Sequence, residues 1–150
     1  MRVTVLNGPN LNLLGTREPE LYGRDTLADL ERVVRERAAT LDVELTWRQT
    51  NHEGELVDFV QALPQTADGA VVNAAALTHT SIAVRDALLA VRVPFVEVHL
   101  SNIFAREPAR RQSLLADLAI GVIAGFGTSS YVLGLEALVG HLAAGGARSP

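Results

Sequence analysis

The chain contains neither cysteine nor lysine, and all 13 of its basic residues are arginine. Without cysteine, disulfides, thiolate nucleophiles and cysteine-bound metals are excluded. Without lysine, any mechanism that needs a Schiff base on a lysine side chain is excluded. A chain free of cysteine is consistent with a cytoplasmic location, which we expect for this protein.

Positive charge and long hydrophobic runs are also scarce. The formal net charge is −4, so the sequence has no basic excess of the kind that nucleic-acid binding needs. The longest apolar stretch, 119–127, covers about half of a membrane span. Met1-Arg2 leads directly into a short apolar run, so we expect no signal peptide. At 150 residues and 48% hydrophobic residues, the chain is predicted to form a single domain over 1–150, with no nucleic-acid or membrane partner.

Short apolar runs alternate with helical patterns, which is typical of a parallel α/β sheet. The predicted strands are Val3–Leu6, Val43–Arg48, Ala70–Asn73, Phe95–Val98 and Val122–Ala124. The predicted helices are Thr26–Ala39, Glu53–Leu63, Ser81–Val91 and Thr128–Ala144. This order predicts a flavodoxin-like three-layer sandwich around a five-stranded parallel sheet, in which the alternating Val43–Arg48 forms an edge strand.

Two details of the helices are also predicted. Asp25 is a good N-cap for the first helix. On the third helix, Ile82, Leu88 and Leu89 are expected to face the sheet.

One segment, from Gly8 to Arg24, has neither helical nor strand periodicity. A loop of this length is usually functional or disordered. It follows the first strand, at the carboxyl edge where open α/β sheets bind ligands. The last residues, 145–150, are expected to be a flexible tail.

Polar side chains follow three of the predicted strands. Asn10 follows the first strand, Asn73 and His79 the third, and His99 and Arg110 the fourth. Taken singly, each has an ordinary structural interpretation, because asparagine often serves turns and a histidine can be satisfied within a core. Their convergence on one edge instead indicates a site.

Glu97 is harder to explain structurally, because a carboxylate inside a buried parallel strand is costly unless it is paired. It stands two residues before His99, so both side chains point to the same side of the strand. We therefore predict that Glu97 orients the His99 ring.

Four groups of residues together resemble the type II 3-dehydroquinate dehydratases, and they cover nearly the whole chain in the right order. They are Asn7-Gly8-Pro9-Asn10-Leu11-Asn12-Leu13-Leu14-Gly15 with Arg17-Glu18-Pro19 and Tyr22-Gly23, Thr78-His79-Thr80-Ser81 with Arg85-Asp86-Ala87, Glu97-Val98-His99-Leu100-Ser101-Asn102-Ile103 with Arg106-Glu107-Pro108, and Gly125-Phe126-Gly127 before Tyr131.

The resemblance implies an anti elimination of water from 3-dehydroquinate through an enolate, giving 3-dehydroshikimate without metal or cofactor. It assigns Tyr22 as the base. Because a free tyrosine has a pKa of about 10, the base needs a nearby cation, and Arg17 matches the family residue beside it. A unit charge at roughly 4 Å with an effective dielectric of about 20 lowers a pKa by roughly 3 units before desolvation opposes it.

The other roles follow from the same resemblance. Asn10 stabilises the enolate oxygen, His99 protonates the departing hydroxyl, and Glu97 holds the His99 ring. The substrate is expected to meet the backbone amides of Leu100 and Ser101 and the side chains of Asn73, His79 and Arg110. Asp86 resembles a binding residue that reaches the site of a neighbouring subunit.

The resemblance also implies a lid and an assembly. Residues 15–24 resemble a mobile lid that carries the base, and the family assembles as a dodecamer built from trimers. The sequence departs from the family pattern at Ala74-Ala75, Leu77, Ala109 and Gln112, which affects the expected pocket wall more than the expected reaction.

Two other classes of protein stay open at this point. A flavodoxin-like binding module would need a phosphate loop rich in Ser, Thr and Gly after the first strand, whereas Leu11, Leu13 and Leu14 stand there. An inactive homologue kept as a scaffold would have the same fold, since fold alone does not prove activity. We expect no metal site, because His52 and His141 have no ligand spacing to His79 or His99.

Overall fold

The computed structural model describes residues 1–16, 20 and 23–146. Its five strands are β1 (Arg2–Asn7), β2 (Glu44–Gln49), β3 (Gly69–Asn73), β4 (Phe95–His99) and β5 (Gly121–Ala124). Four α-helices lie wholly within the described residues: α1 (Leu27–Thr40), α2 (Glu53–Thr66), α3 (Ile82–Val91) and α4 (Ser129–Ala143). Within the described ranges, no helix has the length and apolar character needed to cross a membrane.

All five strands pair in parallel, in the order β2-β1-β3-β4-β5. The predicted five-stranded parallel sheet is therefore confirmed, and each strand begins and ends within one residue of its predicted bounds. The alternating strand β2 lies at one edge, as its pattern predicts.

Each face of the sheet has its own apolar core, because successive strand side chains point to opposite faces. The first core includes Val3, Val5, Val71, Val96 and Val98 with residues of α1 and α4. The second core includes Leu6, Ala70, Val72 and Phe95 with residues of α2 and α3. Burial on both faces explains why the central strands are continuous apolar runs.

The first helix begins one residue later than predicted, and its N-cap is Thr26 rather than Asp25. The Thr26 hydroxyl accepts a hydrogen bond from the Asp29 backbone N–H at 3.1 Å, and the Asp29 carboxylate accepts one from the Thr26 N–H at 2.9 Å. This reciprocal capping box satisfies two backbone donors at once, which a cap at Asp25 does not.

The predicted inward face of α3 is partly wrong. Leu88 is buried, but Ile82 is 65% exposed and Leu89 is 46% exposed. The buried stripe is Val84, Ala87 and Leu88, so smaller residues pack on the sheet and two large apolar side chains face outwards.

Candidate functional site

A pocket lies at the carboxyl edge of the sheet, where β1, β3 and β4 end. Residues from the three segments that follow these strands line it: Pro9, Asn10, Leu11, Leu14, Asn73, Ala75, Ala76, His79, His99, Leu100, Ser101, Ile103, Arg106 and Arg110. Among these described residues are two arginines and two histidines, and none is acidic. On a chain of net charge −4, this lining favours an anionic ligand.

Glu97 and His99 form a buried pair on β4. His99 Nε2 lies 2.6 Å from Glu97 Oε1, and both side chains are almost fully removed from solvent. The strand places them together because residues two apart share a face. Since Nε2 bonds to the carboxylate, Nδ1 is the ring nitrogen left for a ligand. The predicted contact between Glu97 and His99 is confirmed.

A second group holds the other oxygen of this carboxylate. The Ser113 hydroxyl lies 2.9 Å from Glu97 Oε2. The same Ser113 oxygen accepts hydrogen bonds from the backbone N–H groups of Leu115 and Ala116, each at 3.0 Å. Both oxygens of the buried carboxylate are therefore hydrogen-bonded.

His79 is positioned by a backbone carbonyl. Its Nδ1 lies 2.7 Å from the Gln112 carbonyl oxygen, which only accepts, so Nδ1 carries a proton and donates. Nε2 is then the His79 atom left to meet a ligand. The His79 and His99 rings stack with centroids 6.4 Å apart, so both histidines face the same pocket.

The turn after β4 has two backbone donors free for a ligand. Within the described part of the chain, the N–H groups of Leu100 and Ser101 donate to no protein acceptor, although both residues are largely buried. Buried N–H groups without a partner are rare in folded proteins. In a lining without acidic residues, two adjacent free N–H groups are suited to a carboxylate.

Asn73 is held by a buried chain of hydrogen bonds. Its Nδ2 donates to the Tyr131 hydroxyl at 2.8 Å, and that hydroxyl donates to Asn7 Oδ1 at 2.7 Å. Asn73 Oδ1 accepts from the Ala75 N–H at 3.1 Å. Tyr131 is fully buried, and this desolvation raises the pKa of its phenol well above the usual range. The phenol stays neutral and fixes the orientation of both amides.

Asn10 lies at the mouth of the pocket in a left-handed backbone conformation, with φ of 69°. Asparagine tolerates this conformation better than most residues. Its N–H donates to Asn51 Oδ1 at 2.9 Å, which fixes the backbone. Its side-chain amide has no protein partner in the described residues and is free to meet a ligand.

Arg106 and Arg110 supply the positive charge on the far wall of the pocket. Arg110 Nε lies 2.5 Å from Glu107 Oε1, and Arg106 Nε lies 3.8 Å from Glu107 Oε2. The hydrogen bond from Arg110 lowers the pKa of the Glu107 carboxyl below its usual value. Glu107 thus stays ionised and fixes Arg110 beside the pocket.

One predicted site residue, Asp86, does not line this pocket, and two others fall outside the part of the chain that the structure describes. Asp86 is exposed on α3. Arg17 and Tyr22 lie outside the described residues, as does part of the predicted lid, 15–24, and of the tail.

Three residues hold site residues from behind, and no such role was predicted for them from the sequence: Ser113, Tyr131 and Asn7. The one available signal was the buried Glu97, because a carboxylate accepts more hydrogen bonds than a single histidine provides. The described chain also contains no group of three or more His, Asp or Glu residues able to hold a metal ion.

Together, the fold and the pocket define a doubly wound α/β protein with an acid–base pair at the carboxyl edge of its sheet. The family model for "Dehydroquinase class II" matches residues 1–139, and the chain belongs to this family.

Named relatives and solved structures agree with this family. A 3-dehydroquinate dehydratase of Azorhizobium caulinodans is 60% identical over 136 residues, which are 91% of this chain and 92% of that one. Another, of Dinoroseobacter shibae, is 51% identical over 150 residues and 100% of both chains. The crystal structure of a type II dehydroquinase from Butyrivibrio crossotus superposes with a TM-score of 0.90 at 38% identity, covering 92% of this chain and 97% of that one.

The buried hydrogen-bond chain at Asn73 makes a stability prediction. In Tyr131→Phe, Asn73 Nδ2 and Asn7 Oδ1 lose their common partner inside the core. We expect the free energy of unfolding to fall by about 1–3 kcal/mol, the cost of leaving a buried polar group unsatisfied. Urea denaturation should show a lower midpoint at an unchanged slope. An unchanged midpoint would contradict a structural role for this hydroxyl.

Proposed function

We propose that this chain is a lyase that dehydrates 3-dehydroquinate to 3-dehydroshikimate, a reaction of the shikimate pathway. The observation that carries the proposal is the buried Glu97–His99 pair, which opens on a pocket with a basic lining in a member of the dehydroquinase family. The substrate is a carboxylate with ring hydroxyls, so it suits that lining. No lysine takes part, because the chain has none.

His99 is proposed as the acid. When its ring is protonated, Nε2–H donates to Glu97 and Nδ1–H faces the pocket, where it protonates the C1 hydroxyl as that group leaves as water. Glu97 favours the protonated ring, because a carboxylate 2.6 Å away stabilises the positive charge. Histidine suits acid–base work near neutral pH.

The base is proposed from the family resemblance. Tyr22 removes the C2 proton beside the ketone, and Arg17 favours its ionised form. The electrons then form an enolate, whose oxygen needs a donor. Asn10 is proposed to supply one through its side-chain amide, directly or through a water, since it lines the pocket and its amide has no protein partner among the described residues.

Substrate binding divides between the two ends of the pocket. The free N–H groups of Leu100 and Ser101, with the Asn73 amide, are proposed to bind the substrate carboxylate. His79 Nε2 and Arg110 are proposed to bind the ring hydroxyls.

The activity can be tested directly by following the ultraviolet absorbance of the conjugated product in the presence of a chelator. We expect turnover in the wild type, and a kcat about 10²–10⁴-fold lower in both Tyr22→Phe and His99→Gln, because each loses its proton-transfer group. Thr26→Ser, which keeps the hydroxyl of the helix cap at a residue that does not line the pocket, should retain wild-type turnover. A folded wild type without turnover would contradict the proposed function.

We also propose that the chain assembles into a dodecamer built from trimers, with Asp86 completing a neighbouring site. Ile82 and Leu89 are exposed on the same helix as Asp86. Exposed large apolar residues on one helix face favour an interface.

The assembly makes a separate prediction. Sedimentation of the wild type should give a mass twelve times that of the chain, and Leu89→Arg should lower it. Val33→Arg, a matched change at a 37% exposed position on α1, should not. A monomeric wild type would contradict the proposal.

We propose a cytoplasmic location, supported by the absence of cysteine from a folded chain of this size. Fractionation of the native cells should recover the protein with cytoplasmic markers, and recovery with an exported marker would contradict the proposal.

A further inference from the structure

The hydroxyl of Ser113 is a hydrogen-bond partner of the buried acid–base pair whose direction of donation can be worked out. Its oxygen accepts from the backbone N–H groups of Leu115 and Ala116. A serine hydroxyl has two acceptor sites and one proton. With both acceptor sites in use, the proton points to Glu97 Oε2, which lies 2.9 Å away.

This direction determines where a proton can reside on Glu97. Because Oε2 accepts from Ser113 and Oε1 faces a ring nitrogen, a proton on the carboxyl group finds an acceptor when it lies on Oε1, between Glu97 and His99 Nε2. That shared proton has two positions. On His99 it leaves a carboxylate beside an imidazolium, and on Glu97 it leaves a neutral acid beside a neutral ring.

The two positions differ in what they offer the substrate. In the ion pair, Nδ1–H belongs to an imidazolium, which is a strong enough acid to protonate a departing hydroxyl. In the neutral pair, Nδ1–H belongs to an uncharged ring and is a far weaker acid. A hydrogen bond to the ionised form of an acid favours that form.

We propose that Ser113 is a positioning residue that keeps Glu97 ionised and so keeps the shared proton on His99 Nε2, which makes Nδ1–H the acid of the reaction. The inferred proton location rests on the hydrogen bonds of Glu97, whereas its use in catalysis rests on the proposed dehydratase function.

The segment that carries Ser113 is fixed at several points. The Leu114 N–H donates to the Thr78 carbonyl at 2.9 Å. Arg85 donates to the Leu114 carbonyl at 2.6 Å and forms a bidentate pair with Asp117, at 2.5 and 2.8 Å. These contacts join the segment to α3 and to the turn after β3, so the hydroxyl does not depend on a free loop for its position.

The side chains around the Glu97–His99 pair make a positive charge on His99 less favourable unless an anion lies beside the ring. His79 stacks on His99, and Arg106 and Arg110 line the same pocket. In the described part of the chain, these three are the other titratable or charged side chains that line the pocket. The two arginines oppose a positive charge on His99, whereas Glu97 favours it.

The test compares Ser113→Ala with Ser81→Ala. Both serines accept a backbone N–H through their oxygen, Ser81 from Val84 at 2.9 Å, but Ser81 does not contact Glu97. We expect Ser113→Ala to lower kcat about 10- to 100-fold, the value of a hydrogen bond to a charged group, with KM within about twofold. Ser81→Ala should lose stability without this change in kcat.

The pH profile separates this role from a structural one. Without the Ser113 donor, the state with an ionised Glu97 and a neutral His99 loses the most stabilisation, because its negative charge has no cation beside it. The acid form of the pair therefore persists to higher pH. The limb where kcat falls as pH rises should move up by about half a unit or more in Ser113→Ala. It should not move in Ser81→Ala, and a limb that moves equally in both would overturn the proposal.

Two further variants keep the result interpretable if Ser113→Ala is unstable. Ser113→Thr retains the hydroxyl and should restore kcat to within about threefold of the wild type. In a Glu97→Gln background, adding Ser113→Ala should lower kcat by less than about threefold, because the anion is already gone. An undiminished effect in that background would overturn the proposal.

A measurement without substrate distinguishes this inference from the proposed function. In ring-15N NMR spectra below the alkaline limb, both nitrogens of His99 should be protonated in the wild type, and a share of Nε2 should be unprotonated in Ser113→Ala. A wild type with these spectra but no turnover would contradict the function alone. An unprotonated Nε2 in the wild type would overturn the inference itself.

Discussion

A carboxylate without contact with water lies inside this sheet, and the arrangement of the site depends on it. Glu97 has no exposed surface, and an ion removed from water costs several kcal/mol unless hydrogen bonds replace its hydration. One oxygen meets His99 two residues along the same strand, and the other meets Ser113 from a segment 16 residues later. The second contact requires the chain to return to β4 after the segment that lines the pocket. The contacts of Arg85 with that segment therefore also help to hold Ser113 against the buried carboxylate.

The parallel sheet separates the polar contacts of the site onto its two faces. Glu97 and His99 share the side of β4 that bears Phe95, which packs against α2 and α3. Asn7 and Asn73 instead bond to Tyr131 of α4, which packs in the core on the other side. The acid–base pair and the fixed amide of Asn73 thus meet at the carboxyl edge while each is held by a different layer of helices.

The strands and the contact between Glu97 and His99 could be predicted because they depend on local periodicity. A strand with a period of two fixes which side chains are neighbours, whatever the rest of the chain does. The contacts of Ser113 and Tyr131 join residues far apart in sequence, and no local pattern reports them. The cap at Thr26 was missed because aspartate has a higher intrinsic N-cap preference than threonine, and the reciprocal bond with Asp29 selects Thr26. The inward face of α3 was misjudged because size favours Ile82 and Leu89, whereas packing on the sheet selects Val84 and Ala87 beside Leu88.

The charges of the pocket explain why an acid at His99 needs an anion behind it. A lining that favours a carboxylate substrate carries positive charge, and here that charge comes from Arg106 and Arg110. The same charges oppose a positive charge on a neighbouring imidazole, and an anion beside the ring offsets them. A carboxylate within the pocket would compete for the same cations as the substrate. Glu97, buried behind the ring and held by Ser113, stabilises the protonated histidine without facing the ligand.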